Sequence, residues 1–333
     1  MNGPAESDPR PAPAEHPPDP PREAGLDAAE SPGDSPGDSP GDSPDASPDQ
    51  LARPWRNPRR LALQLLGFLA GIALLAVCIH GAWPRDEAAR AGWATLRDTS
   101  PWLVVAMLAC TLGSSVVNGL SFQVTGRPVG SVNGWDLQRL NLVANLLNYA
   151  PIRLGLLSRV AWHLTVDRIG LVSLGGWFAV VGVVLVISVG SATAATLARP
   201  SLDALWLVLL LGMVAVGLLM LRGAGSVVLR RHGRDVDRIL RAPGVLWMAA
   251  GLRLADVAVY WGRMAVASAM LGLEFSGGQL LMLAITAYAG SLAPFGRVGF
   301  REFLVAAAAG WIGLESGELD ARMAQLALLE SAG

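Results

Sequence analysis

LNLVANLLNYAPIRLGLLSRV, from Leu140 to Val160, is apolar enough to lie in a bilayer, yet Pro151 breaks it and Arg153 and Arg159 follow the break. Ahead of the proline, Asn141, Asn145 and Asn148 fall at i, i+4 and i+7. A helix gathers them on one polar face while Leu140, Leu142, Val143, Leu146 and Leu147 cover most of the rest. Carboxamides in hydrocarbon need partners. A second stretch, AYAGSLAPFGRVGFREFLVAA from Ala287 to Ala307, has the same outline: small or apolar residues, then Pro294, Gly296 and Gly299 with Arg297, Arg301 and Glu302 among them. Two interrupted hydrophobic elements, one in each half, are the pattern of an intramembrane binding site rather than of simple anchorage.

Composition agrees with a membrane setting. The 333 residues are 52% hydrophobic and 16% charged, with a mean hydropathy of +0.41. The apolar excess lies beyond Leu51, so the expected class is an all-α, polytopic membrane protein. Residues 1–52 are rich in Pro, Ser, Asp and Ala, repeat SPGD from Ser31 to Asp42, and lack the large apolar residues that repay ordering. They are expected to form a disordered, acidic cytoplasmic tail, not a signal peptide. Residues 53–333 are the expected helical transmembrane domain. All 26 basic residues are arginines. Cys78 and Cys110 both lie in candidate spans, which excludes a disulfide framework, and the scattered histidines give no metal site.

Outward from the central stretch, spans are expected at Leu61–His80, Pro101–Phe122, Leu171–Val189, Leu202–Leu221 and Val245–Leu271. Arg53, Arg56, Arg59 and Arg60 ahead of the first favour a cytoplasmic N-terminus. The loop carrying Arg222, Arg230, Arg231, Arg234, Arg238 and Arg241 falls on the same side if the Leu140 element is re-entrant or crosses and returns as half-helices. Gly81–Ser100 is a hydrophilic outer segment with Trp83 and Trp93 near an interface, and Gln123–Arg139 is a connector. Glu302–Leu314 is too short to cross alone, and Ala321–Glu330 is either an amphipathic helix or the start of another span.

The Val245–Leu271 span carries Arg253, Asp256 and Tyr260 at i, i+3 and i+7, on one face, with Arg263 beyond. Charge at membrane depth is expensive, so a buried structural pair, a pair lining a transport cavity, and snorkelling of Arg253 to the interface all compete. Arginines beside helix breaks offer bidentate donors to phosphate or carboxylate. Glu302 either takes a proton or neutralises an arginine. The candidate substrate-binding residues are therefore Asn141, Asn145, Asn148, Arg153, Arg159, Arg253, Asp256, Tyr260, Arg297, Arg301 and Glu302. The structural breaks are Pro151, Gly155, Pro294, Gly296 and Gly299. No dinucleotide fingerprint, phosphate-loop lysine or HExxH is present, and no catalytic residue, cofactor, metal or nucleic-acid partner is expected.

The paired motifs Asn141–Val160 and Ser291–Gly310, with the basic loop before Val245, resemble the membrane region of lysylphosphatidylglycerol synthases. That flippase-like integral membrane family includes stand-alone bacterial members and the membrane part of archaeal dolichyl-phosphate glycosyltransferase-like proteins. Asn145, Pro151, Gly155 and Arg159 match its first motif, and Pro294, Gly296, Gly299 and Glu302 its second. Where the family commonly follows the glycine with an acid, this chain has Leu156 and Leu157. The resemblance covers Leu61 onward and implies movement of an anionic phospholipid or lipid-linked intermediate across the cell membrane, with no transferase activity. An inverted repeat, a homo-oligomer or a partner in envelope biosynthesis fits the same pattern. The alternatives are a proton-coupled transporter of a small solute and a non-catalytic membrane partner in envelope biosynthesis.

Overall fold

The computed structural model describes residues 58–85, 87–130, 132–148, 154–228, 234–292, 299–311 and 318–332. All of the regular structure among them is helical. The elements are α1 (Pro58–Ala82), α2 (Glu87–Arg97), α3 (Pro101–Gly126), α4 (Gly134–Leu147), α5 (Leu154–Thr165) and α6 (Leu171–Ala198). They continue with α7 (Ala204–Val228), α8 (Arg234–Arg241), α9 (Pro243–Met270), α10 (Gly277–Ser291), α11 (Phe300–Trp311) and α12 (Glu318–Ala332). The acidic segment 1–52 and the breaks at Pro151, Pro294 and Gly296 lie outside the described residues, as do Arg153 and Arg297.

Ala62–Ala82, Pro101–Gly126, Leu171–Ala198 and Ala204–Gly223 are long and apolar enough to cross a bilayer. Their outer faces carry Leu66, Val186, Leu219 and Met220, each more than 60% exposed. So continuous an apolar surface is unfavourable in water and favourable in lipid. The chain is a membrane protein by this criterion.

Sequence reading and structure differ where polar residues occupy helices. The Gly81–Ser100 segment folds in part as α2, whose Trp93 Nε1 donates to the Ala82 carbonyl at 2.9 Å and ties it to the end of α1. The Gln123–Arg139 connector is shorter than expected, because α3 runs on to Gly126 and Asn133 caps α4 by accepting from the Trp135 amide at 3.0 Å. The arginine-rich loop holds α8, whose Val236, Ile239 and Leu240 are buried against α6 and α7. The last expected segment, Ala321–Glu330, lies within α12. In α12, Met323, Leu326 and Ala327 are wholly buried, and the helix packs on α1, α2, α9 and α11.

α9 organises the rest. It packs on α3, α6, α10 and α12, and it contributes to both apolar cores. Leu246, Ala249, Ala250 and Val257 join Leu174, Trp177 and Val184 of α6 and Leu210 and Val214 of α7. Farther along, Met264 and Ala267 join Leu283 of α10, Val305 of α11 and Met323 and Leu326 of α12. A helix buried between two cores presents its polar residues to other protein groups rather than to solvent.

Two short helix pairs complete the bundle. α4 has 14 residues and α5 has 12, about 21 and 18 Å at 1.5 Å per residue, so neither alone spans a core of about 30 Å. They pack on each other, closely enough that a Cβ at Gly155 would stand 2.1 Å from the Ala144 carbonyl oxygen. α10 and α11 also pack together. Gly299, at the entrance to α11, has φ +85°, and a Cβ there would stand 1.6 Å from the Gly71 carbonyl oxygen of α1. Glycine is required at Gly299 twice over, by conformation and by space.

Candidate functional site

Arg253, Asp256, Tyr260 and Arg263 lie at i, i+3, i+7 and i+10 of α9 and are all buried, at 3–4% exposure. They divide into two clusters. Around Arg253, the guanidinium donates from Nη1 to Asn118 Oδ1 at 2.8 Å, and its nearest oxygen on Asp256 is 3.9 Å away, a loose ion pair. Asp256 is held from two other helices: Ser114 Oγ of α3 donates to Oδ1 at 2.6 Å and Tyr288 Oη of α10 to Oδ2 at 3.1 Å. Asn118 Nδ2 donates to Asn141 Oδ1 at 3.2 Å, and Asn141 Nδ2 to the Ser115 carbonyl at 2.6 Å. Arg159 Nη2 of α5 donates to the same Asn141 oxygen. The carboxamides thus work as holders: Asn118 fixes Arg253, Asn141 fixes Arg159, and Asn145 Nδ2 reaches Ser115 Oγ at 3.2 Å.

Both guanidiniums also lie against one ring. Arg159 Cζ is 4.7 Å and Arg253 Cζ 5.8 Å from the Phe122 centroid. Two cations share one aromatic ring, which offsets part of their desolvation. Beside them opens a cavity of about 320 Å³. Arg159, Arg253 and Asp256 stand on its wall with Asn118, Asn145, Asn148, Tyr260 and Tyr288, and apolar residues complete it. Of these, Leu156 and Leu292 are 42% and 47% exposed. The space therefore joins a charged wall to an apolar rim.

The second cluster gathers around Glu330. Arg263 Nε of α9 donates to Glu330 Oε1 at 2.9 Å, and Arg301 Nη2 of α11 pairs with the same oxygen. Glu330 belongs to α12 and is wholly buried. Arg263 and Arg301 stack over Tyr260, with Cζ at 5.1 and 5.5 Å from its centroid. Tyr260 meets Tyr288 edge-on at 4.9 Å, so aromatic contact links the two clusters.

The structure brings Asn145, Asn148, Arg159, Arg253, Asp256 and Tyr260 to one cavity, and places Asn141, 2% exposed, behind its wall. Arg301 and Glu302 go elsewhere. Glu302 accepts from the Gly299 amide at 2.7 Å, which satisfies a free N–H at the start of α11, and Arg301 finds its carboxylate in Glu330. Sequence reasoning missed Tyr288, Phe122 and Glu330. A signal for Glu330 existed, since Arg263 sits deep in an apolar helix and a lone acid in ALLE is the complementary anomaly. His163, buried in α5, pairs with Asp167 at 2.6 Å and meets Trp177 edge-on at 5.0 Å, anchoring α5 on α6. No group of three His, Cys, Asp or Glu gathers for a metal ion among the described residues.

Compared with known proteins, the chain matches no family model, no curated protein and no solved structure.

Proposed function

We propose that this protein translocates the anionic headgroup of a lipid across the cell membrane. One observation carries the reading: Arg159 and Arg253, seated on the Phe122 ring, face a cavity that also has an exposed apolar rim at Leu156 and Leu292. An amphiphile needs both surfaces at once, since its headgroup must stay solvated by protein donors while its chains remain in lipid. In this reading α4–α5 and α10–α11 are re-entrant pairs flanking the cavity. The basic stretches favour a cytoplasmic N-terminus. The resemblance of the two motifs to flippase-like membrane proteins points the same way.

The test is reconstitution into liposomes carrying labelled phosphatidylglycerol, with leaflet exposure followed over time. Translocation faster than in empty vesicles, and lost in Arg159→Ala, is expected; wild-type rates equal to empty vesicles sink the proposal. A second reading, proton-coupled transport of a small solute, is favoured by the carboxylate of Asp256 in the cavity wall. It requires solute uptake driven by an imposed proton gradient and abolished in Asp256→Asn.

A further inference from the structure

α5 is fastened to the protein interior by a titratable side chain. Of its 12 residues only Gly155 and His163 are buried, so His163 supplies its one buried side chain, with Val160 and Leu164 half-buried against the core. The imidazole enters an aromatic frame on α6, edge-on to Trp177 at 5.0 Å and to Phe178 at 6.3 Å. Trp177 Nε1 donates to Thr125 Oγ1 of α3 at 2.8 Å, which fixes that frame from its other side. His163 Nδ1 pairs with Asp167 Oδ2 at 2.6 Å, and Nε2 is buried with no hydrogen-bond partner among the described residues. A neutral ring donating from Nδ1 leaves only a lone pair at Nε2. A protonated ring would place an N–H there with no acceptor to receive it.

The turn that brings Asp167 back to the ring is strained. Arg168 has φ +51°, a left-handed conformation that residues other than glycine seldom adopt, while the Ile169 amide donates to the His163 carbonyl at 2.9 Å. Few other charges stand near. Arg159 lies one turn back on α5, Arg127 at the end of α3 and Arg168 are exposed, and Asp136 and Arg139 of α4 pair with one another at 3.8 Å. α6 carries no charged residue. Burial opposes a charge on the ring, Asp167 favours one and Arg159 opposes it, and the imidazole is held below its ordinary range.

We infer that His163 is a pH-sensitive clasp: neutral, it fastens α5 to α6, and protonated, it loosens α5 and with it the seat of Arg159 on the Phe122 ring. Arg159 and His163 are i and i+4 on one face, so the helix carries both together. A ring that is harder to protonate when docked than when released favours the docked form above the ordinary histidine range. That preference is lost as pH falls through it. Release also relieves the backbone at Arg168.

The test is hydrogen–deuterium exchange of the purified full-length protein in detergent, at a series of values from about pH 7.5 to about pH 5. Labelling times are scaled for the intrinsic pH dependence of amide exchange, and α6 and α9 serve as internal references. Relative to both, residues 154–165 are expected to exchange about tenfold faster at the acidic end. His163→Phe keeps a ring in the frame without a proton site and should leave α5 equally protected throughout. Asp167→Asn removes the charge that favours a docked imidazolium, so its α5 should loosen at a less acidic pH than in the wild type. Wild-type protection of α5 that does not change across the series overturns the inference, as does an acid response in folded His163→Phe equal to that of the wild type. If His163→Phe does not fold, Asp167→Asn decides, and loosening at the same or a more acidic pH overturns it. No lipid enters the measurement, so its outcome is separate from that of the translocation reading.

Discussion

The two ends of one helical face in α9 hold similar residues in opposite conditions. Toward the C-terminal end, Arg263 and Arg301 converge on Glu330, and the group is enclosed by α11 and α12. Toward the N-terminal end, Arg253 stands 3.9 Å from Asp256, donates to the Asn118 amide oxygen and lies against the Phe122 ring, and a cavity opens beside it. Burial is the same in both, so burial does not distinguish a structural ion cluster from a candidate binding site. The difference is in how the carboxylate is used. Glu330 is engaged by guanidiniums, whereas Asp256 is engaged by hydroxyls and leaves Arg253 weakly paired.

That contrast is broken most severely at Glu330. Glu330→Gln leaves two buried guanidiniums around an uncharged group, and about 3–5 kcal/mol of stability should be lost, read as a collapse of the monodisperse folded fraction in detergent. A folded, fully stable Glu330→Gln protein would remove the structural assignment of this cluster. Gly299→Ala acts on the same region through the backbone. Its Cβ meets the Gly71 carbonyl and its φ is positive, so a loss of about 1–3 kcal/mol is expected in thermal unfolding. Arg159→Ala belongs to the open cluster and should do the reverse, lowering translocation about tenfold or more while the unfolding transition stays near that of the wild type.

Finer changes sharpen the comparison. Tyr288→Phe keeps the edge-on contact with Tyr260 and removes the 3.1 Å hydrogen bond to Asp256, for a loss of about 1 kcal/mol in stability. The smallest effect is expected away from both clusters, at Asp203 between α6 and α7. A hydrogen bond from Arg199, then one from the Trp206 amide, hold its carboxyl well below the ordinary carboxylate range. A depressed folded-state value means the contribution is complete above the unfolded value of 3.8 and is lost only as pH falls through the lower folded value. Asp203→Asn should therefore flatten the strongly acidic limb of a stability-versus-pH curve and leave the neutral plateau nearly level. A new slope near neutrality would contradict this assignment.

Much of this arrangement is legible in sequence because it follows helical periodicity. The i, i+3, i+7 spacing of Arg253, Asp256 and Tyr260 predicts their common face, and the asparagine spacing predicts a polar side to α4. Periodicity says nothing about which distant residue completes a charge pair. Arg301 has Glu302 beside it in sequence, yet a helix directs adjacent side chains to different faces, and Glu330 arrives instead from α12. The role of the asparagines was also hidden. A polar face reads as ligand-binding from sequence, whereas Asn118 and Asn141 spend their oxygens on holding Arg253 and Arg159. Polar helices such as α2 and α8 escaped because hydropathy finds long apolar runs and passes over short amphipathic ones.

The packing of α1 has a consequence for biosynthesis. Its principal helix neighbours are α11 and α12, so the first described helix to leave the ribosome is matched to the last two. Through most of synthesis α1 must reside in lipid without them, the Gly71 carbonyl still uncovered by Gly299. The mean hydropathy of 2.5 over Ala62–Ala82 suits a segment that has to persist as a lone insert until its companions are made.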